Sequence, residues 1–394
     1  MKVVLFDTPE RISLYPFTAL RPIAAIQIGI DSIQSWWERL LHQPVSVLTE
    51  DYLEEHFTVL SEKDFLYIDA RLLPNEAFVE AIQQLPQETA LKQNEQLLAI
   101  RTTLLLPFGF TIDPHSSLDS KAYTGALLKL EFPHQIAEWN AHCIVQQLPF
   151  FLKDKKWELP SDTNRISGIN RVFIEEGAIV EHCIINAQTG PVYIEKNSLV
   201  MEGTVIRGPF VLLEGGVVKM GSKIYGATTV GRSCAVGGEI KNVVFFDNAN
   251  KAHDGYLGDA VIGSWCNLGA GTSVSNIKNT AEPVTYWNPI MRQWIHAGIK
   301  CGAFIGDYSK AAINTTITTG TVAGIGCNLL GVGFLPKYIA DFTWNTQSNE
   351  SYHFEKFLRD ASNWKRLKHQ TLSEREERIL NNWYLHSKNH THGT

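Results

Sequence analysis

His253 and Tyr256 stand three residues apart, and Gly258-Asp259 begins five residues after His253. A histidine side chain titrates near working pH, so it can accept a proton from an attacking nucleophile. Lys241 lies upstream in Gly-Glu-Ile-Lys-Asn, and Lys223 lies further back. A lysine ammonium is a compact point charge suited to a phosphate group. Tyr256, Asn267 and Asn276 can hydrogen-bond hydroxyl groups or orient the base. Taken singly, these residues read as ordinary surface side chains, and the asparagines as corner residues that tolerate left-handed backbone. Side chains of these types could serve proton transfer beside a bound anion.

The elements that must carry them have an unusual period. From about residue 166, aliphatic residues recur every six positions. Ile194, Val200 and Ile206 form one set; Ile224, Val230 and Val236 a second; Ile262, Leu268 and Val274 a third; Ile305, Ala311, Ile317 and Ala323 a fourth. A strand alternates every two residues and a helix repeats every 3.6. A period of six fits a triangular β-solenoid, in which each face of a coil of about eighteen residues contributes one inward aliphatic side chain. Gly231, Gly263, Gly269 and Gly306 follow these positions, where the corners are tight. A β-sandwich with irregular spacing is the alternative.

The stretch from Asn250 to Asn276 resembles the acetyltransferase domain of the bifunctional N-acetylglucosamine-1-phosphate uridyltransferase/glucosamine-1-phosphate acetyltransferase family. The shared features are His253, Tyr256, Gly258-Asp259, Asn267-Leu-Gly-Ala-Gly-Thr272 and Asn276, with Lys241 and Lys223 upstream. The resemblance implies a left-handed parallel β-helix of hexapeptide repeats. It also implies acetyl-CoA as co-substrate and an amino-sugar 1-phosphate as acceptor. His253 would be the catalytic base, and Lys223, Lys241, Tyr256, Asn267 and Asn276 would bind substrate. Ala270 and Asp307 would meet acetyl-CoA; the family has a serine where Asp307 stands. Such sites lie between solenoid copies, so a homotrimer is implied. After Asn276 the chain departs from the family with a longer loop, Ile277 to Ala297, carrying Trp287, Met291 and Trp294. The stretch Ile305 to Thr321 looks more like the solenoids of archaeal and Bacteroidetes-type sugar-phosphate nucleotidyltransferases.

The first third alternates strand and helix signals, which implies an α/β layered domain with a mainly parallel sheet. Strands are expected at Val3–Phe6, Val45–Leu48 and Phe65–Ile68. Helices are expected around Ile33–Leu41, after Thr49 as a cap, and after Pro74-Asn75, with a hairpin around Gln93-Asn94. Arg11 to Ile23 is similar to the second half of the phosphate-binding motif of sugar nucleotidyltransferases, which have a Rossmann-type sheet. Asp7-Thr8-Pro9-Glu10 stands where those enzymes have glycines. Proline lacks an amide donor, and Asp7 and Glu10 repel phosphate. The resemblance implies nucleotide binding by Arg11, Arg21 and Asp69, with Asp69 also holding Mg2+. LFDTPE and LRPIAAIQIG are similar to the Bacteroidetes-type branch.

Three parts are thus expected: a nucleotidyltransferase-like domain over 1–160, a β-helix over 166–345, and a helical segment over 346–394. The last has Phe354, Phe357, Leu358, Ala361 and Trp364 on one face, then a capping box at Ser373–Glu376. The implied activity is acetyl-CoA-dependent N-acetylation of an amino-sugar 1-phosphate, with sugar-1-phosphate nucleotidyl transfer in the N-terminal domain. Two alternatives stand beside it. One is a nucleotidyltransferase alone, with the solenoid as a trimerisation scaffold. The other is a non-catalytic sugar-nucleotide-binding protein.

Lys plus Arg number 35 against 41 Asp plus Glu, a net charge of −6. That balance gives no general reason to bind nucleic acid or an anionic membrane. The most apolar stretch, Thr321 to Pro336, is glycine-rich and short for a bilayer span. The start lacks the pattern of a signal peptide. Six dispersed cysteines suit buried thiols in a cytoplasmic protein. His182 and His296 read as structural, and the solenoid lacks the paired histidines of zinc-dependent carbonic anhydrases.

Overall fold

A computed structural model describes residues 1–53, 64–110, 118–153, 155–331, 333–348 and 350–391. The chain divides into two compact units. One comprises Met1–Leu14, Leu20–Ile26 and Asp31–Glu131; the other comprises Tyr15–Ala19, Gln27–Ile30 and Phe132–Thr394.

The first unit is an α/β layer. Its six strands are β1 (Lys2–Phe6), β2 (Val45–Leu48), β3 (Phe65–Asp69), β4 (Thr89–Gln93), β5 (Gln96–Thr102) and β6 (Asp119–Ala122). They lie in the order β2-β1-β3-β5-β4-β6. β1 runs parallel to β2 and β3, while β5 is antiparallel to both its neighbours. β3 is buried along its whole length, as a strand with both faces covered must be. Two helices carry the expected signals. α1 (Ile33–Leu41) is capped by Ser32, whose side chain accepts from the Ser35 amide, and it buries Ile33, Trp36, Trp37 and Leu41. α2 (Glu76–Gln83) is capped by Asn75. The helix expected after Thr49 falls mostly on residues 54–63, outside the described set. Thr49 itself does something else: its hydroxyl donates to Asp7 at 2.7 Å.

The second unit is a left-handed parallel β-helix with C-terminal helices. All thirteen aliphatic residues of the period-six sets are buried in one core. Each coil supplies short strands to three faces. The first face stacks Ile184–Asn186, Val205–Arg207, Lys223–Tyr225, Glu239–Lys241 and Tyr256–Gly258 in register. The second includes Val192–Ile194, Phe210–Leu212 and Thr228–Val230. The third includes Leu199–Val200, Val217–Val218, Ala235–Val236, Asn250–Lys251, Asn267–Leu268 and Lys310–Ala311. The strand Glu239–Phe245 turns from the first face to the second without a loop, through Asn242 at φ +55°.

The boundary expected near residue 160 falls elsewhere, because residues 132–153 pack with the solenoid. In α3 (His134–Glu138) and α4 (Asn140–Phe151), buried amides bind the chain to it. The Asn140 amide donates to Ala227 O at 2.9 Å, and its oxygen accepts from Gly29 N at 2.8 Å. Gln147 brackets the same segment through Ile28 O and Ile30 N. Thr229 donates to Gly29 O at 2.6 Å. Phe17 packs against Phe246 and Phe304, with ring centroids 5.3 and 6.5 Å away.

The Ile277–Ala297 insertion is a β-hairpin, Thr285–Asn288 against Gln293–His296, with Trp287 opposite Trp294. The C-terminal helices are α5 (Phe354–Arg366) and α6 (Glu374–Thr391). The capping box forms as expected. Ser373 Oγ accepts from Glu376 N at 3.3 Å, and Glu376 accepts from Ser373 N at 3.0 Å. Asp341 joins three segments: it accepts from the Tyr15 hydroxyl, the Trp383 indole and the Ile325 amide at 2.8, 3.1 and 2.6 Å. No helix among the described residues is long and apolar enough to cross a membrane.

Candidate functional site

Parallel register decides which polar side chains meet on the solenoid. On the first face, outward positions form two columns. One runs Val205, Lys223, Glu239, Tyr256; the other runs Arg207, Tyr225, Lys241, Gly258. Lys223, Lys241 and Tyr256 therefore share one face across three coils. Two residues that the motif did not mark lie among them. The Tyr225 hydroxyl donates to Glu239 at 2.6 Å, and this bond pushes its ionisation up to about 12, with burial adding to it. Their signal was present in the sequence, since Tyr225 and Glu239 each lie two residues from a chosen lysine and so on the same side of a strand.

Gly258 makes room for Tyr256. A Cβ there would lie 2.3 Å from the Tyr256 hydroxyl and 2.9 Å from the Asn276 amide nitrogen. Burial raises the Tyr256 phenol well above its ordinary value, and Asp259, Tyr225 and Glu239 push in the same direction.

The corner between the first and second faces carries a polar ladder. Asp259, at φ +46°, accepts from the Asn242 amide at 2.9 Å and from the Asn276 amide. The three side chains thus link successive coils. A cavity of about 330 Å³ adjoins this corner, lined by His134, Glu138, Asn242, Asp259, Lys300 and Cys301 among others. Burial holds the His134 imidazole down to about 4, and its Nδ1 lies 3.2 Å from the Tyr286 hydroxyl of the hairpin.

His253 occupies the opposite corner, where the third face turns into the first, three residues before Tyr256. It is exposed. Ala270 sits at the same corner one coil on, and the Gly271 amide donates to Asp254 O at 3.0 Å. Asn267 is placed apart from the cluster. It lies on the third face, in the column of Asn250 and Lys310. Asp307 is buried and accepts from the Ser264 amide at 2.8 Å, so its carboxylate braces a corner.

In the α/β unit, two of the charges expected to meet a nucleotide, Arg11 and Asp69, are buried. Asp7 is buried and accepts from Arg11 Nε at 3.1 Å, Thr49 and the Ile23 amide at 3.0 Å. Burial pushes its carboxyl up against the pull of Arg11. Arg11 is buried too and also reaches Glu50 at 2.9 Å and the Arg21 carbonyl at 3.1 Å. The Asp7 carboxylate thus occupies the Ile23 amide. Asp69 is fully buried, and both its oxygens bind Arg71, at 2.8 to 3.2 Å; Lys129 lies 3.4 Å away. A carboxylate closed by two cations is a poor Mg2+ ligand, so Asp69 does not fit the metal role expected of it. Arg21 is half-buried.

Residues 3–156 match the family model described as sugar nucleotidyl transferase. Among curated proteins, the chain is 36% identical over 96 residues to the bifunctional protein GlmU of Methanococcus vannielii, covering 23% of each. It is 29% identical over 145 residues to that of Picosynechococcus sp., covering 36% of this chain and 30% of the relative. It is 29% identical over 180 residues to that of Methanococcus maripaludis, covering 44% and 42%. The chain spans less than half the length of the curated relatives it matches. Among solved structures, it resembles the UDP-N-acetylglucosamine acyltransferase of Francisella novicida at 13% identity and a TM-score of 0.34, covering 59% of this chain and 88% of that one.

Proposed function

We propose that this chain, a relative of the GlmU-type bifunctional proteins, acetylates an amino-sugar 1-phosphate on its solenoid, with acetyl-CoA as donor. The observation that carries the reading is the first face. It gathers Lys223, Lys241, Tyr225, Glu239 and Tyr256 on three successive coils, next to the corner that bears His253. Lys223 and Lys241 attract the phosphate. Tyr256 and Asn276 hold sugar hydroxyls. His253 takes the proton from the amine as its nitrogen attacks the thioester carbonyl. The new N–C bond forms, the C–S bond breaks, and the thiolate leaves with a proton. Ala270 shares the His253 corner and is our choice for contact with the acyl donor; Asp307, engaged at another corner, is the weaker one. Asn267 belongs to the site only if a neighbouring copy presents its third face.

A homotrimer would supply such a neighbour. Apolar Ile184 and Val205 are 50% and 43% exposed on the same face as the lysines, and this supports a packing surface between copies. Six free, buried cysteines suit a reducing, cytoplasmic setting.

The test is acetyl transfer from acetyl-CoA to glucosamine-1-phosphate. We expect His253→Ala to lower kcat by roughly 10²- to 10⁴-fold. Unchanged kcat would remove His253 from the chemistry.

The match over residues 3–156 favours a second activity, uridylyl transfer by the α/β unit. Arg21 is the cation we assign to the triphosphate there. Pyrophosphate release from UTP with a sugar 1-phosphate, lost in Arg21→Ala, would support it. Its absence would leave the α/β unit without this role.

A further inference from the structure

The inward positions of the third face run Val180, Val200, Val218, Val236, Lys251 and then, beyond Leu268, Ala311 and Leu329. A charged residue thus stands in an aliphatic ladder, only 1% exposed. An ammonium in such a place is costly unless its donors are satisfied. The Lys251 Nζ donates to His253 O at 2.7 Å and to Gly237 O at 3.3 Å. Both carbonyls belong to the corner leading from the third face to the first, on successive coils. The corner is close-packed. Gly238 has φ +78°, and a Cβ there would lie 2.9 Å from His253 O. Burial pulls the ammonium down to about 8, while Asp254 draws it up.

A leucine or valine would fill the ladder as the other coils do. What the lysine adds is a grip on two carbonyl oxygens, at the coil step that carries His253.

We propose that Lys251 is a positioning residue for His253, fixing through these two hydrogen bonds the backbone from which the imidazole projects. The proposal rests on His253 being the general base. Lys251 lies inside the coil, so its effect passes through His253.

The test compares the full-length protein with Lys251→Leu, which restores the aliphatic ladder, and with Lys251→Met, which is closer in length. Tm should change little, because a well-packed apolar side chain replaces a buried charge while two carbonyl oxygens lose a donor. Amide hydrogen exchange over residues 252–256 should speed up severalfold. The kcat for acetyl transfer should fall roughly 10- to 100-fold, with KM for both substrates unchanged. Unchanged exchange at the corner, or unchanged kcat, overturns the proposal. So does a fall in Tm that accounts for the lost activity in both variants. If His253→Ala loses activity while Lys251→Leu keeps it, the proposal fails alone. If the unmodified protein transfers no acetyl group, or His253→Ala is fully active, the general-base reading fails and takes the proposal with it.

Discussion

Tyr225 donates its hydroxyl to Glu239 across one coil step, at 2.6 Å, between the two lysines of the first face. The carboxylate is thereby committed to a neutral partner, and Lys241 is left to meet an anion. Lys241→Ala should raise KM for the sugar phosphate by roughly tenfold or more, with a smaller change in kcat, since a charge-assisted contact to phosphate is among the stronger polar interactions. Initial-rate kinetics at low and high salt would check it. A KM that stays the same would detach Lys241 from the phosphate.

Asp259 accepts two asparagine amides from neighbouring coils. Asp259→Asn places a third amide among them and leaves donors facing donors. The expected loss is about 1–3 kcal/mol in urea unfolding. An unchanged midpoint would mean that the ladder adds nothing to the fold.

Asp341 predicts a pH dependence. Burial raises its carboxyl from 3.8 to about 6, against three hydrogen bonds that lower it. The folded state therefore holds this proton more tightly than the unfolded chain does. Its contribution to stability is full below the unfolded value near 3.8 and is lost as pH rises through about 6. Asp341→Asn should flatten that fall. Comparing Tm against pH for both proteins across this window would show it, and parallel curves would assign the slope to other groups.

Asp7 anchors a buried network in the α/β unit. Asp7→Ala removes the buried carboxylate from Arg11, which stays inside beside Glu50. The cost should be about 3 kcal/mol, as for other broken buried pairs. Denaturant unfolding followed by a probe in the α/β unit would measure it.

The solenoid was legible because each coil repeats one steric demand, and that demand writes a six-residue period into Ile194 to Ala323. The same logic hid Lys251. The loopless turn at Asn242 lies in a shortened coil, Val236 to Lys251, so a count in sixes loses phase there and does not mark Lys251 as inward. The family motif groups Asn267 with Tyr256. The wrap of the chain sets them on different faces. The α/β strands and the caps at Asn75 and Ser373 were readable from local chemistry. The pairs Asp7–Arg11 and Asp69–Arg71 are close in sequence, but their burial, and the approach of Lys129 to Asp69, depend on long-range packing that no local pattern encodes.

The early segments Tyr15–Ala19 and Gln27–Ile30 pack with the solenoid unit. Phe17 finds Phe246 and Phe304 only after more than two hundred further residues have been made. Contacts so distant along the chain slow folding and leave apolar segments waiting during synthesis. The same threading limits dissection. A fragment beginning near residue 160 would lack Gly29, Asn140 and Phe17, and would bare Ala227, Thr229 and Phe246 to water. The solenoid is therefore best expressed with its N-terminal chain attached.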